Sequence, residues 1–236
     1  MRDHYKGYRV PKSIIGFAVR YYYRYRISLR NLSEMLQDRG VFVTYETIRN
    51  WCQTWGLVYA RDIRRKRGSA FTDKWHINEV RVKIKGDIFW LWRLIDSEGK
   101  EIDVLLQKRR NAKSAIRFLK RSLKKLGISL RVMVTDKLRS YRKAHRVLLK
   151  SSQHRAHKRL NNRIENSHQS TREKERQMRG FKSVSNSQRF LSSMGAFLNL
   201  LKVGRYKQNA QEYRQKFIQS IDIFNEIVAS HHHYAK

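Results

Sequence analysis

Carboxylates are scarce in this chain: 19 Asp and Glu stand against 53 Lys and Arg in 236 residues, a formal charge of +34. That lies far outside the roughly 2–8 charges of an ordinary small domain. Such an excess repels itself in a compact fold and marks a protein that meets a polyanion. The basic residues run along the whole chain rather than forming a tail, which points to nucleic acid held across a broad surface. Cysteine is nearly absent. Cys52 alone excludes an internal disulfide and a zinc site built on several cysteines, and it suits a reducing compartment. No run of about 18 apolar residues exists, so no membrane span is expected. The first residues lack an apolar signal core, so the cytoplasm is the expected compartment. The single proline, Pro11, leaves helices and strands uninterrupted. What is present folds: 40% hydrophobic and 11% aromatic residues are not a disordered composition.

The N-terminal part reads as helical. A Tyr-, Ile- and Val-rich helix is expected over 12–26. Ser28 is placed to cap a second helix with Leu29, Leu32, Met35 and Leu36 on one face. After Gly40, Thr44 caps a third, with Ile48, Trp51, Cys52 and Trp55 at helical spacing and Gly56 expected to end it. Residues 28–55 therefore have helix-turn-helix form. Thr47, Arg49, Asn50 and Gln53 face away from the apolar stripe, and Arg, Asn and Gln are the side chains that reach base edges bidentately. A plain helical hairpin with a solvated face fits the same spacing, and the net charge favours DNA. Residues 61–72 read as a basic linker.

Beyond it the period changes from helical to alternating. Asn78, Val80, Val82 and Ile84 alternate with charged residues, Ile88–Ile95 is almost continuously apolar, and Ile102, Val104 and Leu106 alternate again. Turns at Gly86-Asp87 and Asp96–Gly99 join these into an antiparallel meander. A helix over 111–126, a fourth strand ending at Thr135-Asp136, and helices near 137–149, 162–177 and from a capping box at Ser185 with Gln188 complete a mixed sheet with helices packed on it.

Two segments carry candidate chemistry. Asp136 ends an apolar strand on the same parity as Val132 and Val134, as a metal ligand or as a cap on the next helix. Glu165 opens a helix with His168 three residues on, as a ligand or as one more solvated charge. Converging carboxylates matter because phosphoryl transfer on DNA relies on divalent ions held by hard oxygen ligands.

Trp75-His76-Ile77-Asn78-Glu79-Val80, then Thr135-Asp136-Lys137 with Tyr141, then Asn161-Asn162-Arg163-Ile164-Glu165-Asn166-Ser167-His168, resemble in order the motifs of DDE transposases of bacterial insertion sequences, most closely the insertion-sequence-six family. The resemblance runs from the helix-turn-helix to about residue 205 and includes Arg172 and Gly180–Ser183. It implies an α/β protein: a helix-turn-helix DNA-binding domain over 1–60, a ribonuclease-H-like core over 73–205 and a C-terminal helical tail over 206–236. It implies a two-metal site for Mg²⁺, or Mn²⁺, on three acids. Asp136 matches the second acid and Glu165 the third, while the first falls on Asn78. Lys137, Arg139, Arg163, His168 and Arg172 join the helix-turn-helix residues as expected DNA contacts. The partners implied are the terminal inverted repeats of the element, target DNA and further copies of the chain in a dimer or larger synaptic assembly, within a bacterial nucleoid. Asparagine offers one neutral carbonyl oxygen in place of a carboxylate, so cleavage is expected to be severely impaired and binding retained. A catalytically silent DNA-binding derivative is the alternative.

Overall fold

In the computed structural model, the described residues are 8–67, 71–127, 130–136, 138–156, 162–202 and 208–231, with backbone alone for Arg67, Asn162, Arg163, Glu165 and Asn166. In chain order the elements are α1 (Lys12–Arg24), α2 (Leu29–Gln37), α3 (Tyr45–Arg67), β1 (Lys74–Ile84), β2 (Asp87–Asp96), β3 (Glu101–Gln107), α4 (Ala112–Leu126), β4 (Val132–Thr135), α5 (Arg139–Leu148), β5 (Gln153–Ala156), α6 (Asn162–Gln177), α7 (Val184–Leu200) and α8 (Ala210–Ser230). They form two compact units, one of residues 1–68 with 196–236 and one of residues 69–195.

The first unit is all helical. Ser28 caps α2 by accepting the Asn31 N–H at 3.0 Å, and Thr44 accepts from Thr47 N at 3.3 Å at the start of α3. The turn between them passes through Gly40 at φ 75°, a left-handed conformation costly for a side chain. Apolar faces of α1, α2, α3 and α8 meet around Ile15, Leu32, Ile48, Trp51, Trp55, Tyr59 and Phe224, all buried. Each such side chain contributes about 1.5–3 kcal/mol on burial.

Two expectations are corrected here. Gly56 does not end α3, which continues to Arg67 and takes up most of the stretch read as a linker. The glycine serves close approach instead: a Cβ at position 56 would lie 2.3 Å from the Tyr23 Oη. That ring is held in place. It donates to the Cys52 carbonyl at 3.2 Å and stacks on Phe197 with centroids 4.8 Å apart. The last helix, read as a tail, is integral to this unit. Its Phe224, Ile227 and Val228 are buried, and His231 Nε2 lies 2.8 Å from the buried Asp62 Oδ2.

The second unit is a five-stranded mixed sheet of order β3-β2-β1-β4-β5. The meander β1-β2-β3 is antiparallel, whereas β1 pairs with β4, and β4 with β5, in parallel. Trp75, Ile77, Trp92 and Leu94 cover one face with Phe118 and Leu119 of α4 and Tyr141 and Ala144 of α5. The fifth strand has no counterpart among the elements expected from the sequence. It is a short edge strand in which no residue is fully buried, so it carries no apolar alternation to detect. The expected capping box is also absent. Ser185 lies inside α7, and Gln188 accepts the Leu106 N–H at 2.7 Å and donates to the Val104 carbonyl at 3.1 Å, satisfying the open edge of β3.

Alanine at position 56 separates the two readings of that glycine. Helix propensity alone would stabilise Gly56→Ala by about 1 kcal/mol. Overpacking against a ring fixed at both ends costs about 1–3 kcal/mol. A net loss is therefore expected in urea denaturation, and a gain would mean that Tyr23 yields freely.

Candidate active site

The parallel ladder between β1 and β4 positions the site. It pairs Lys74 with Val132, Trp75 with Met133 and His76 with Val134. Two residues further along each strand stand Asn78 and Asp136. The two positions that the motifs single out thus stand at matching levels of neighbouring strands, Asn78 midway along β1 and Asp136 just past the end of β4. Asp136 is at the sheet's end with its side chain 33% exposed, so a charge there remains solvated. Its Oδ1 accepts the Leu138 N–H at 3.0 Å, and its Oδ2 lies 3.9 Å from Arg110 Nη2. Asn78 is half-buried, and its Oδ1 accepts the Glu79 N–H at 2.9 Å, which engages one of the carbonyl's two lone pairs.

Glu79 points to the other face of the sheet, as strand alternation requires. Its carboxylate is buried and accepts from the Tyr141 hydroxyl and from Arg110 Nε. Burial pushes the Glu79 carboxyl up, and the bonds from Tyr141 and Arg110 pull it down without overcoming that push. Arg110 also lies over the Trp90 ring at 4.9 Å. One guanidinium therefore bridges the buried acid of the core face and the exposed acid at the strand end. Sequence reasoning missed Arg110. Its only signal was a basic run, Lys108-Arg109-Arg110, between a strand and a helix.

Of the remaining expected residues, α6 carries the backbone of Arg163 and Glu165, whose side chains lie outside the described residues, as does Lys137. Arg139 and Arg172 are exposed. On α3, Arg49, Asn50 and Gln53 are exposed and Thr47 is half-buried, with its hydroxyl 3.1 Å from that of Thr44. His168, expected among the DNA contacts, is corrected. It is 5% exposed, and its Nδ1 lies 3.3 Å from Arg93 Nη1 inside the second unit. A guanidinium only donates, so Nδ1 accepts and the ring is neutral. Burial, then the nearby charges of Arg93 and Arg172, push its pKa down to about 3.

The oxygen donors suit a hard cation such as Mg²⁺ by type. The described residues supply one carboxylate and one neutral carbonyl, and a guanidinium stands 3.9 Å from the carboxylate. Among the described residues no group of three or more His, Cys, Asp or Glu gathers around a common point.

The burial of His168 has a pH consequence. Its pKa is near 6.5 when unfolded and about 3 when folded, so between those values the unfolded state binds the extra proton. Stability is therefore expected to fall as pH drops from 6.5 towards 3. His168→Asn, which keeps an acceptor near Arg93 without titrating, should flatten that slope in pH-dependent urea denaturation. An unchanged slope would mean that the ring is solvated.

The comparisons with known proteins place the chain in a family. Residues 72–204 match the family model DDE_Tnp_IS240, a DDE domain. The transposase for insertion sequence-like element IS431mec of Staphylococcus aureus is 36% identical over 171 residues, covering 70% of this chain and 75% of that protein. The transposase for insertion sequence element IS257 in transposon Tn4003, also from Staphylococcus aureus, matches to the same extent, 36% over 171 residues. Among solved structures, the HTLV-2 integrase catalytic core domain in complex with magnesium aligns at a TM-score of 0.45 and 14% identity, over 58% of this chain and 92% of that one. On the breadth of the family match and the identity to these transposases, the chain belongs to the DDE transposase family of IS431- and IS257-like insertion sequences.

Proposed function

We propose that the protein binds the terminal inverted repeats of an insertion sequence and that its metal-dependent strand cleavage and transfer is impaired by Asn78. The observation that carries this reading is the register of β1 and β4, which sets Asn78 and Asp136 at matching levels of adjacent strands within a DDE domain. Asp136, Glu165 and, less firmly, Asn78 would hold Mg²⁺ or Mn²⁺. A bound divalent ion supplies Lewis-acid stabilisation and a deprotonated water or hydroxyl at neutral pH.

The chain's own residues do the rest. Arg49, Asn50 and Gln53 on the open side of α3 have the donors to read base edges in a major groove, and Thr47 supports the helix start. The exposed Arg139 follows Asp136 closely and the exposed Arg172 lies on α6, so both suit phosphates flanking the cut. Lys137 and Arg163 are assigned the same role from their place in the motifs. Bringing two element ends together calls for at least two copies of the chain.

Asparagine at position 78 removes one negative charge from this centre. A unit charge pair at about 4 Å and an effective dielectric of about 20 is worth about 4 kcal/mol before desolvation is subtracted. Even a third of that is a tenfold loss of cation affinity. Groups that act as a unit fail together, so a catalytically silent DNA-binding protein is the second reading, favoured by the same residue.

The test is a strand-cleavage and joining assay on DNA bearing the element's ends, with Mg²⁺ and with Mn²⁺, comparing the chain with Asn78→Asp. Only the Asp variant is expected to cut, while both bind with affinities that fall steeply with salt as counterions are displaced. Equal cutting by both would remove Asn78 from the site. No cutting by either, with binding intact, would overturn the roles of Asp136 and Glu165.

A further inference from the structure

Arg93 is 3% exposed at the middle of β2, directly across the strand pair from Asn78. A buried arginine is costly unless its charge and its donors are matched. Here they are matched from three elements. Nε and Nη2 donate to Glu101 Oε2 of β3 at 3.1 and 2.7 Å. Nη1 donates to the Ser167 carbonyl of α6 at 2.6 Å and faces His168 Nδ1 at 3.3 Å. Glu101 is itself closed in by α7, since a Cβ at Gly195 would fall 1.8 Å from Glu101 Oε1. The fork is thus fixed on its sheet side by a carboxylate that has no room to move. On the other side it grips the backbone of α6.

We infer that Arg93 is a positioning residue: it sets the rotation and depth of α6 on the sheet, and with them the place of position 165 relative to positions 78 and 136. This rests on the reading of Glu165 as the third acid. Three observations carry it. The contact to α6 is to a main-chain carbonyl, so it fixes the helix rather than one side chain. Glu165 and His168 are three residues apart and share one side of a helix, and His168 is the side chain of α6 that meets the guanidinium. The cross-strand neighbour of Arg93 is Asn78, so the clamp on α6 and the first site position stand on one face of one strand pair. Lysine cannot replace it. A single ammonium lacks the rigid fork that reaches Glu101 and Ser167 together.

The test is a double-mutant cycle on the full chain carrying Asn78→Asp, with Mn²⁺ affinity read from the paramagnetic resonance of the free ion, which requires no turnover. Arg93→Lys is expected to weaken Mn²⁺ binding about tenfold, as loss of outer-shell partners does, and Glu165→Gln to weaken it at least as much. The pair together should be no weaker than Glu165→Gln alone, because Arg93 acts through Glu165. Amide exchange on the unmodified background should accelerate along α6 in Arg93→Lys and stay unchanged along α4. If Arg93→Lys does not fold, Glu101→Gln enters the same cycle in its place. Unchanged Mn²⁺ affinity in the positioning variant overturns the inference. So does a loss that adds fully to that of Glu165→Gln, or exchange that rises equally in both helices; each leaves the assignment of Glu165 standing. If Glu165→Gln itself leaves Mn²⁺ affinity unchanged, the third-acid reading fails and the inference falls with it.

Discussion

Parallel pairing of β1 with β4 is the constraint on which the site depends. The two strands are separated in the chain by a full meander and a helix, and only three residue pairs join them. Those pairs set which residues stand together where the ladder ends. Slippage by one residue would turn the whole β1 side-chain set to the opposite face, exchanging the half-buried Asn78 for the buried Glu79. The register is held by large apolar side chains. Trp75 and Ile77 must meet Phe118, Leu119 and Tyr141, and no other parity buries them. The hydrophobic core on one face therefore dictates the polar geometry on the other.

A chain so rich in cations puts its few acids to structural use. Asp103 is buried on β3, and burial opposes its charge. Bonds from Arg121 at 2.7 and 3.0 Å, with Lys125 and Ser122, outweigh that burial and hold its carboxyl below the usual range. Glu101 takes up Arg93, Glu79 takes up Arg110, and Asp62 sits among Arg61, Arg65 and His231. In each case breaking the pair would strand a buried charge, which costs far more than an exposed pair gains. Asp136 differs. It is partly open to solvent, and Arg110, its nearest cation among the described residues, stands at 3.9 Å, beyond a hydrogen bond. Its carboxylate is thus open to a partner from outside the fold.

Much of this was legible in the sequence because burial writes period into apolar residues. The meander, β4, α4 and α6 were found by alternation or by helical spacing, and the caps at Ser28 and Thr44 by residue type. What was not legible depended on partners distant in the chain. Gly56 looks like a helix terminator until Tyr23 is brought against it. Gln188 looks like half of a capping box until the edge of β3 lies beside it. Nothing in a basic loop distinguishes Arg110 from its two neighbours. His168 reads as a DNA contact in sequence, because nothing local shows that Arg93 of β2 meets it. The strand β5 was invisible for a different reason: an edge strand of four residues buries too little to leave a pattern.

The family match and the chemistry at position 78 rest on different features of the structure. Fold membership is distributed over many apolar contacts, so a single polar exchange on one strand leaves it intact. A hard-cation site is concentrated in a few charges, and one neutral residue among them is felt at once. Asparagine is close to aspartate in size, and at position 78 it finds its own hydrogen bond, the Glu79 N–H at 2.9 Å. Position 78 therefore bears on the charge balance of the strand pair rather than on folding.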